Sequence, residues 1–163
     1  MTRTIVSTIA AALVALVAAT PATAAPERSF SLDKDRLTAT WTGNPTTAFT
    51  GWTLGCDAPP AAGVEAFTDC EETLVEVTGE GTLDVALPDA GDGVTNEWDL
   101  EVYASDAQGA RGDLLGESFA IGEAESVSFD AADGHYLVVA IPFQAVQSTY
   151  GASVTFTPFE ATE

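Results

Sequence analysis

Past residue 24 the chain alternates between apolar and polar side chains. Residues 37–42 set Leu37, Ala39 and Trp41 against Thr38, Thr40 and Thr42. Residues 73–78 and 82–87 alternate in the same way, and the three residues between them, Gly79, Glu80 and Gly81, are of hairpin length. Residues 97–103 give the cleanest pattern: Trp98, Leu100 and Val102 on one face, Glu97, Asp99, Glu101 and Tyr103 on the other. In residues 125–129 the inward positions are Val127 and Phe129. Residues 135–141 are apolar almost throughout, as a central strand buried on both faces should be. Residues 151–157 oppose Ala152, Val154 and Phe156 to Ser153, Thr155 and Thr157. Gly-, Pro- and Asp-rich turns separate these runs at 58–60, 89–93, 106–112 and 133–134. Helix is confined to short stretches within 59–67 or 104–108. The pattern predicts an all-β chain: a single β-sandwich, jelly-roll-like, of eight to nine antiparallel strands, with no repeat and no dividing linker.

Residues 1–24 have a different character. Arg3 precedes an apolar run over residues 5–19, and Ala22, Thr23 and Ala24 form a small-x-small cleavage site. The run is too short for a comfortable membrane span. A signal peptide over residues 1–24 and a secreted, extracellular domain over residues 25–163 are therefore expected, with no membrane association after cleavage. Cys56 and Cys70 are the two cysteines, and in an exported chain an even count predicts a disulfide. A loop of that size contributes about 3 kcal/mol. With one histidine in the chain, a zinc site would lack ligands.

Charge narrows the partners. There are 25 Asp and Glu against 5 Lys and Arg, a formal net charge of -20. Nucleic acid, which needs a cationic surface, is excluded as a partner. Disorder is excluded as well, because 46% of residues are hydrophobic. The acids fall on outward strand positions such as Glu76, Asp84, Asp99 and Glu101, so the charge coats a folded, soluble monomer.

The second half carries an ordered set of motifs. Trp98, Asp99, Leu100, Glu101, Val102 and Tyr103 precede a polar loop and then Gly116-Glu117-Ser118. Gly134, Tyr136 and Val138 follow in a G-x-Y-x-V pattern. This order resembles the bacterial pre-peptidase C-terminal domain, most strongly over residues 73–158. Glu97 stands where the family has its first Asp, and His135 precedes the Tyr. The resemblance implies a jelly-roll-like sandwich that accompanies secreted enzymes. Some members bind calcium and some bind polymers such as collagen.

Catalytic chemistry is sparse, and no catalytic residue is assigned. A Ser-His-Asp arrangement would have to use His135, and residues 116–120 lack the second Gly of a nucleophile elbow. Calcium is the candidate cofactor. Asp89 and Asp92 lie in a Gly-rich loop that leads to Asn96, Glu97 and Asp99, an oxygen-rich set of the kind calcium takes. Asp69, Glu71 and Glu72 form a second acidic group. Trp52 and Tyr103 are the candidate binding aromatics, whereas Trp98 and Trp41 face the core. Arg111, Gly112 and Asp113 spell an adhesion tripeptide in what reads as an exposed loop. The expected function is that of a non-catalytic extracellular module binding a polymer, a cell-surface component or a partner protein. Two other classes stand beside it: a secreted carboxylate-dependent glycan hydrolase, and a structural or inhibitory protein acting through its loops.

Overall fold

A computed structural model describes residues 25–44, 46–49, 70–89, 96–122 and 124–160. These residues form ten strands: β1 (Arg28–Leu32), β2 (Thr38–Thr42), β3 (Thr46–Phe49), β4 (Glu71–Val77), β5 (Gly81–Leu87), β6 (Asn96–Ser105), β7 (Arg111–Ser118), β8 (Glu125–Ala131), β9 (Gly134–Ser148) and β10 (Gly151–Pro158). They build two sheets, one of six strands in the order β1-β4-β9-β6-β7 with β3 also on β9, and one of four in the order β2-β10-β5-β8. β3 and β4 occupy successive stretches of the same edge of β9, because β6 holds the other edge. The all-β sandwich is as the alternation predicts. Two details differ: β1, β3 and β7 add strands to the seven alternating runs, and β1 runs parallel to β4.

The core lies between the sheets and is built by side chains of one parity. β4 and β6 contribute Val75, Val77, Trp98, Leu100 and Val102, and β9 contributes Tyr136, Val138 and Ala140. The facing sheet supplies Leu83, Val85 and Leu87 from β5 and Ala152, Val154 and Phe156 from β10. Burying each Val, Leu or Phe contributes roughly 1.5–3 kcal/mol. Trp98 packs on Tyr150, with ring centroids 4.6 Å apart. Trp41 is partly buried and stacks on Phe30 at 5.4 Å. On the outer face of the larger sheet, Leu74, Leu137, Val139 and Ile141 form a second, smaller cluster with Cys70 and Tyr103 against it. β9 is therefore buried on both faces, as its composition requires.

The Gly79–Gly81 turn is not a hairpin. β4 pairs with β1 and β9, whereas β5 pairs with β10 and β8, so the turn carries the chain from one sheet to the other. β4 takes an interior position with a neighbour on each side, with Val75 and Val77 in the core and Leu74 in the outer cluster. Gly79 has φ 112°, a left-handed conformation that suits glycine, and its amide donates to the Asp133 carboxylate. Among the described strands, β6 and β7 are the one consecutive pair that is hydrogen-bonded. Their connection is a turn closed by Asp106, whose carboxylate accepts the amides of Gln108 and Ala110 at 2.9 Å each. No helix forms over residues 104–108, and residues 59–67 lie outside the described part.

Candidate functional site

β6 meets a bulge in β9 near its start. Its pairing with β9 shifts between Glu97, opposite Gln144, and Trp98, opposite Pro142. Pro142 has no amide hydrogen to give to the ladder. The extra residue, Phe143, lies on β9. On β6, Glu97 and Trp98 are both buried although adjacent in sequence. On the facing sheet, Glu125 opens β8 in the same phase as Val127 and Ala131, and it is 0% exposed. One carboxylate oxygen from each of Glu97, Asp99 and Glu125 lies within 4.8 Å of the others. Two acids from one sheet thus meet a third from the other.

The chain after β7 closes over this group. The Ala120 amide donates to Glu125 Oε1 at 2.8 Å, and the Gly122 amide lies 3.1 and 3.0 Å from the two oxygens of Glu97. Gly122 has φ 71°, which lets the backbone turn its N–H inward. Glu125 Oε2 has no hydrogen-bond partner. Asp99 is half-buried. Burial, and then the charges of Glu125, Glu97 and Glu101, push its pKa up to about 7.

The sequence-derived metal residues separate. Glu97 and Asp99 come together, and Glu125 joins them. Asp89 sits at the exposed end of β5, close to Gly151. Asn96 accepts a hydrogen bond from Trp98 Nε1 at 2.8 Å. Asp92 lies outside the described residues, as do Asp69, Trp52 and Cys56, the expected partner of Cys70. Glu71 and Glu72 point to different partners, Arg28 and Arg111. Sequence reasoning passes over Glu125, although its parity with Val127 and Phe129 marks it as inward.

Tyr103 is half-buried; its hydroxyl donates to Glu101 Oε2 at 2.7 Å, and the Arg111 guanidinium lies 5.4 Å from its ring centroid. Arg111 also places Nη2 2.7 Å and Nε 3.1 Å from Glu72 Oε1. The Arg111-Gly112-Asp113 tripeptide therefore begins β7, with its arginine committed to a neighbouring strand rather than displayed on a free loop. His135 lies opposite Ser105, while Ser118 lies opposite Leu100, so the histidine and this serine are at different levels of β6. Two surface depressions of about 440 and 450 Å³ are lined by residues such as Lys34, Gly79 and Phe159, and Pro26, Leu74 and Gln108. Neither touches the acidic group.

No protein-family model matches the chain, and no curated protein sequence matches it. Among solved structures it is similar to the pre-peptidase C-terminal domain of a collagenase from Bacillus anthracis: 14% identity, 83% of this chain and 100% of that one covered, TM-score 0.44. A periplasmic inhibitor of g-type lysozyme from Aeromonas hydrophila is 15% identical, over 80% of this chain and 98% of that one, with TM-score 0.43. A surface-associated copper-binding protein of Methylomicrobium album BG8 is 9% identical, over 83% and 99%, with TM-score 0.47. These likenesses are distant, and the all-β class rests on the strand pairing itself.

Proposed function

We propose that the chain is a non-catalytic β-sandwich module of the pre-peptidase C-terminal type, exported to bind an extracellular polymer, cell-surface component or partner protein. The observation that carries the non-catalytic reading is the closure of its acids. A glycan hydrolase needs two carboxylates flanking a substrate bond in an open cleft. Here Glu125 is 0% and Glu97 3% exposed, and backbone amides of residues 120 and 122 already occupy them. A sugar has no path between them.

Family type is supported by where the motifs land. Asp99 to Tyr103 fall in β6, Gly116 and Ser118 in β7, and Gly134, Tyr136 and Val138 in β9. Tyr136 fixes the β8–β9 turn, because its hydroxyl accepts from the Ala132 amide and donates to the Ala132 carbonyl, both at 2.9 Å. Binding is supported by the β7 edge, where Leu114, Leu115, Phe119 and Ile121 are 38–69% exposed.

The test is co-sedimentation of the purified chain with insoluble polysaccharides and fibrillar collagen, with product release followed in parallel. The expected result is retention on one polymer without product, weakened by Leu115→Asp with Ile121→Asp. Product release that disappears in Glu125→Gln would overturn the reading in favour of a hydrolase.

A further inference from the structure

We propose that Glu97, Asp99 and Glu125 form a calcium site that ties β6 of the six-stranded sheet to β8 of the four-stranded one. The site stands on its own geometry and does not depend on what the module binds.

Three carboxylates whose oxygens lie within 4.8 Å of one another repel strongly in a partly dehydrated setting. Something must neutralise them. The basic side chains with described ion pairs are used elsewhere: Arg28 on Glu71 and Glu27, Lys34 on Asp35, and Arg111 on Glu72. His135 lies toward the far end of β6, opposite Ser105. The two amides of the closing loop satisfy Glu97 and one oxygen of Glu125. They leave Glu125 Oε2 buried and without a hydrogen-bond partner, on a side chain that belongs to the group. An ionised oxygen in that position is strongly disfavoured unless a cation meets it.

The donor set selects the ion. It contains oxygen only, with no sulfur or imidazole, so it favours a hard cation over zinc or copper. Calcium and magnesium differ in how readily they shed water. Glu125 Oε2 has no solvent access, so an ion that binds it must give up water on that side, which favours calcium. Asp99, half-buried rather than sealed, provides the way in. The expected consequence of calcium is a fixed loop over residues 119–122, because that loop hydrogen-bonds to two of the three ligands.

The experiment uses the full chain stripped with EDTA and titrated with calcium chloride in about 0.5 M sodium chloride, which screens diffuse attraction to the acidic surface. Calorimetry and terbium luminescence, the latter sensitised by the neighbouring Trp98, read binding directly. The expected result is one ion per chain, at least tenfold weaker magnesium binding, and a calcium-dependent rise in melting temperature. Glu125→Gln keeps an acceptor for the Ala120 amide, so it should fold while losing the calcium response. Asp99→Asn, at the half-exposed position, should weaken binding at least tenfold, and Asp89→Asn should leave it unchanged. Absence of saturable binding, equal binding of magnesium, or retention of calcium by both Glu125→Gln and Asp99→Asn would overturn the site. If Glu125→Gln does not fold, Asp99→Asn decides alone.

Discussion

Arg28 and Glu71 form an ion pair across the parallel β1–β4 edge, with Nη1 2.7 Å from Oε2. The same carboxylate oxygen accepts the Tyr150 hydroxyl at 3.1 Å, and the other oxygen accepts the Asn44 amide. Tyr150 precedes β10 and belongs to the core, so Glu71, itself 4% exposed, links the two sheets. Burial, and then the charge of Glu71, hold the Tyr150 hydroxyl well above its usual range, and it remains a donor. Glu71→Ala should destabilise the protein by about 3 kcal/mol, because it leaves the Tyr150 hydroxyl and the Asn44 amide without their acceptor and Arg28 with only the more exposed Glu27. Tyr150→Phe should cost about 1 kcal/mol. Urea denaturation measures both, and equal stabilities for wild type and Glu71→Ala would contradict the link.

The crossing between sheets at residues 79–81 depends on close approach. A Cβ at Gly81 would meet the Thr157 carbonyl oxygen and the Phe156 ring, and a backbone oxygen paired in a sheet has no room to yield. Gly81→Ala should therefore lower stability by about 2 kcal/mol through overpacking. Gly134→Ala, where the nearest contact is ordinary at 3.9 Å, is the control and should cost far less.

Asp99 sets a pH dependence. Its folded pKa, about 7, is above the unfolded value of 3.8. The folded state therefore keeps a proton that the unfolded state has released. Its contribution is fully present below pH 3.8 and is lost as pH rises through about 7. In EDTA, the wild type should lose stability relative to Asp99→Asn between these two values. Parallel melting curves for the two proteins across that window would contradict the assignment.

The acidic coat includes a like-charge pair. Glu101 on β6 lies directly opposite Glu117 on β7. Such pairs destabilise a sheet, and salt screens them. Melting temperature should rise with sodium chloride. Glu117→Lys should add about 0.5 kcal/mol in dilute buffer and reduce the salt response. A melting temperature that is flat in salt would show that the repulsion has little weight.

Much of this architecture is legible in the alternation, because burial on one face of a strand imposes a period of two. Trp98, Leu100 and Val102 are inward where the pattern puts them, and residues 135–141 become the doubly buried β9. The turn at 79–81 is not legible, since three residues with glycine serve a hairpin and a sheet crossing equally well. What separates the two is the pairing itself, β4 with β1 and β9 and β5 with β10 and β8. Glu97 shares the parity of Asp99 and Glu101, yet it is buried, because the loop after β7 covers it and the Gly122 amide donates to its carboxylate. The acidic group is half legible. Glu97 and Asp99 are neighbours in sequence, but Glu125 reaches them only because β8 faces β6 across the sandwich.

Both the non-catalytic role and the calcium site require those three carboxylates to be gathered and closed rather than open to substrate. The most direct measurement is a crystal structure of the full chain grown with calcium, with an anomalous difference map. The predicted result is one peak touching Glu97, Asp99 and Glu125 beneath residues 119–122. Carboxylates turned apart, or an open cleft between Glu97 and Glu125 with no ion, would contradict it.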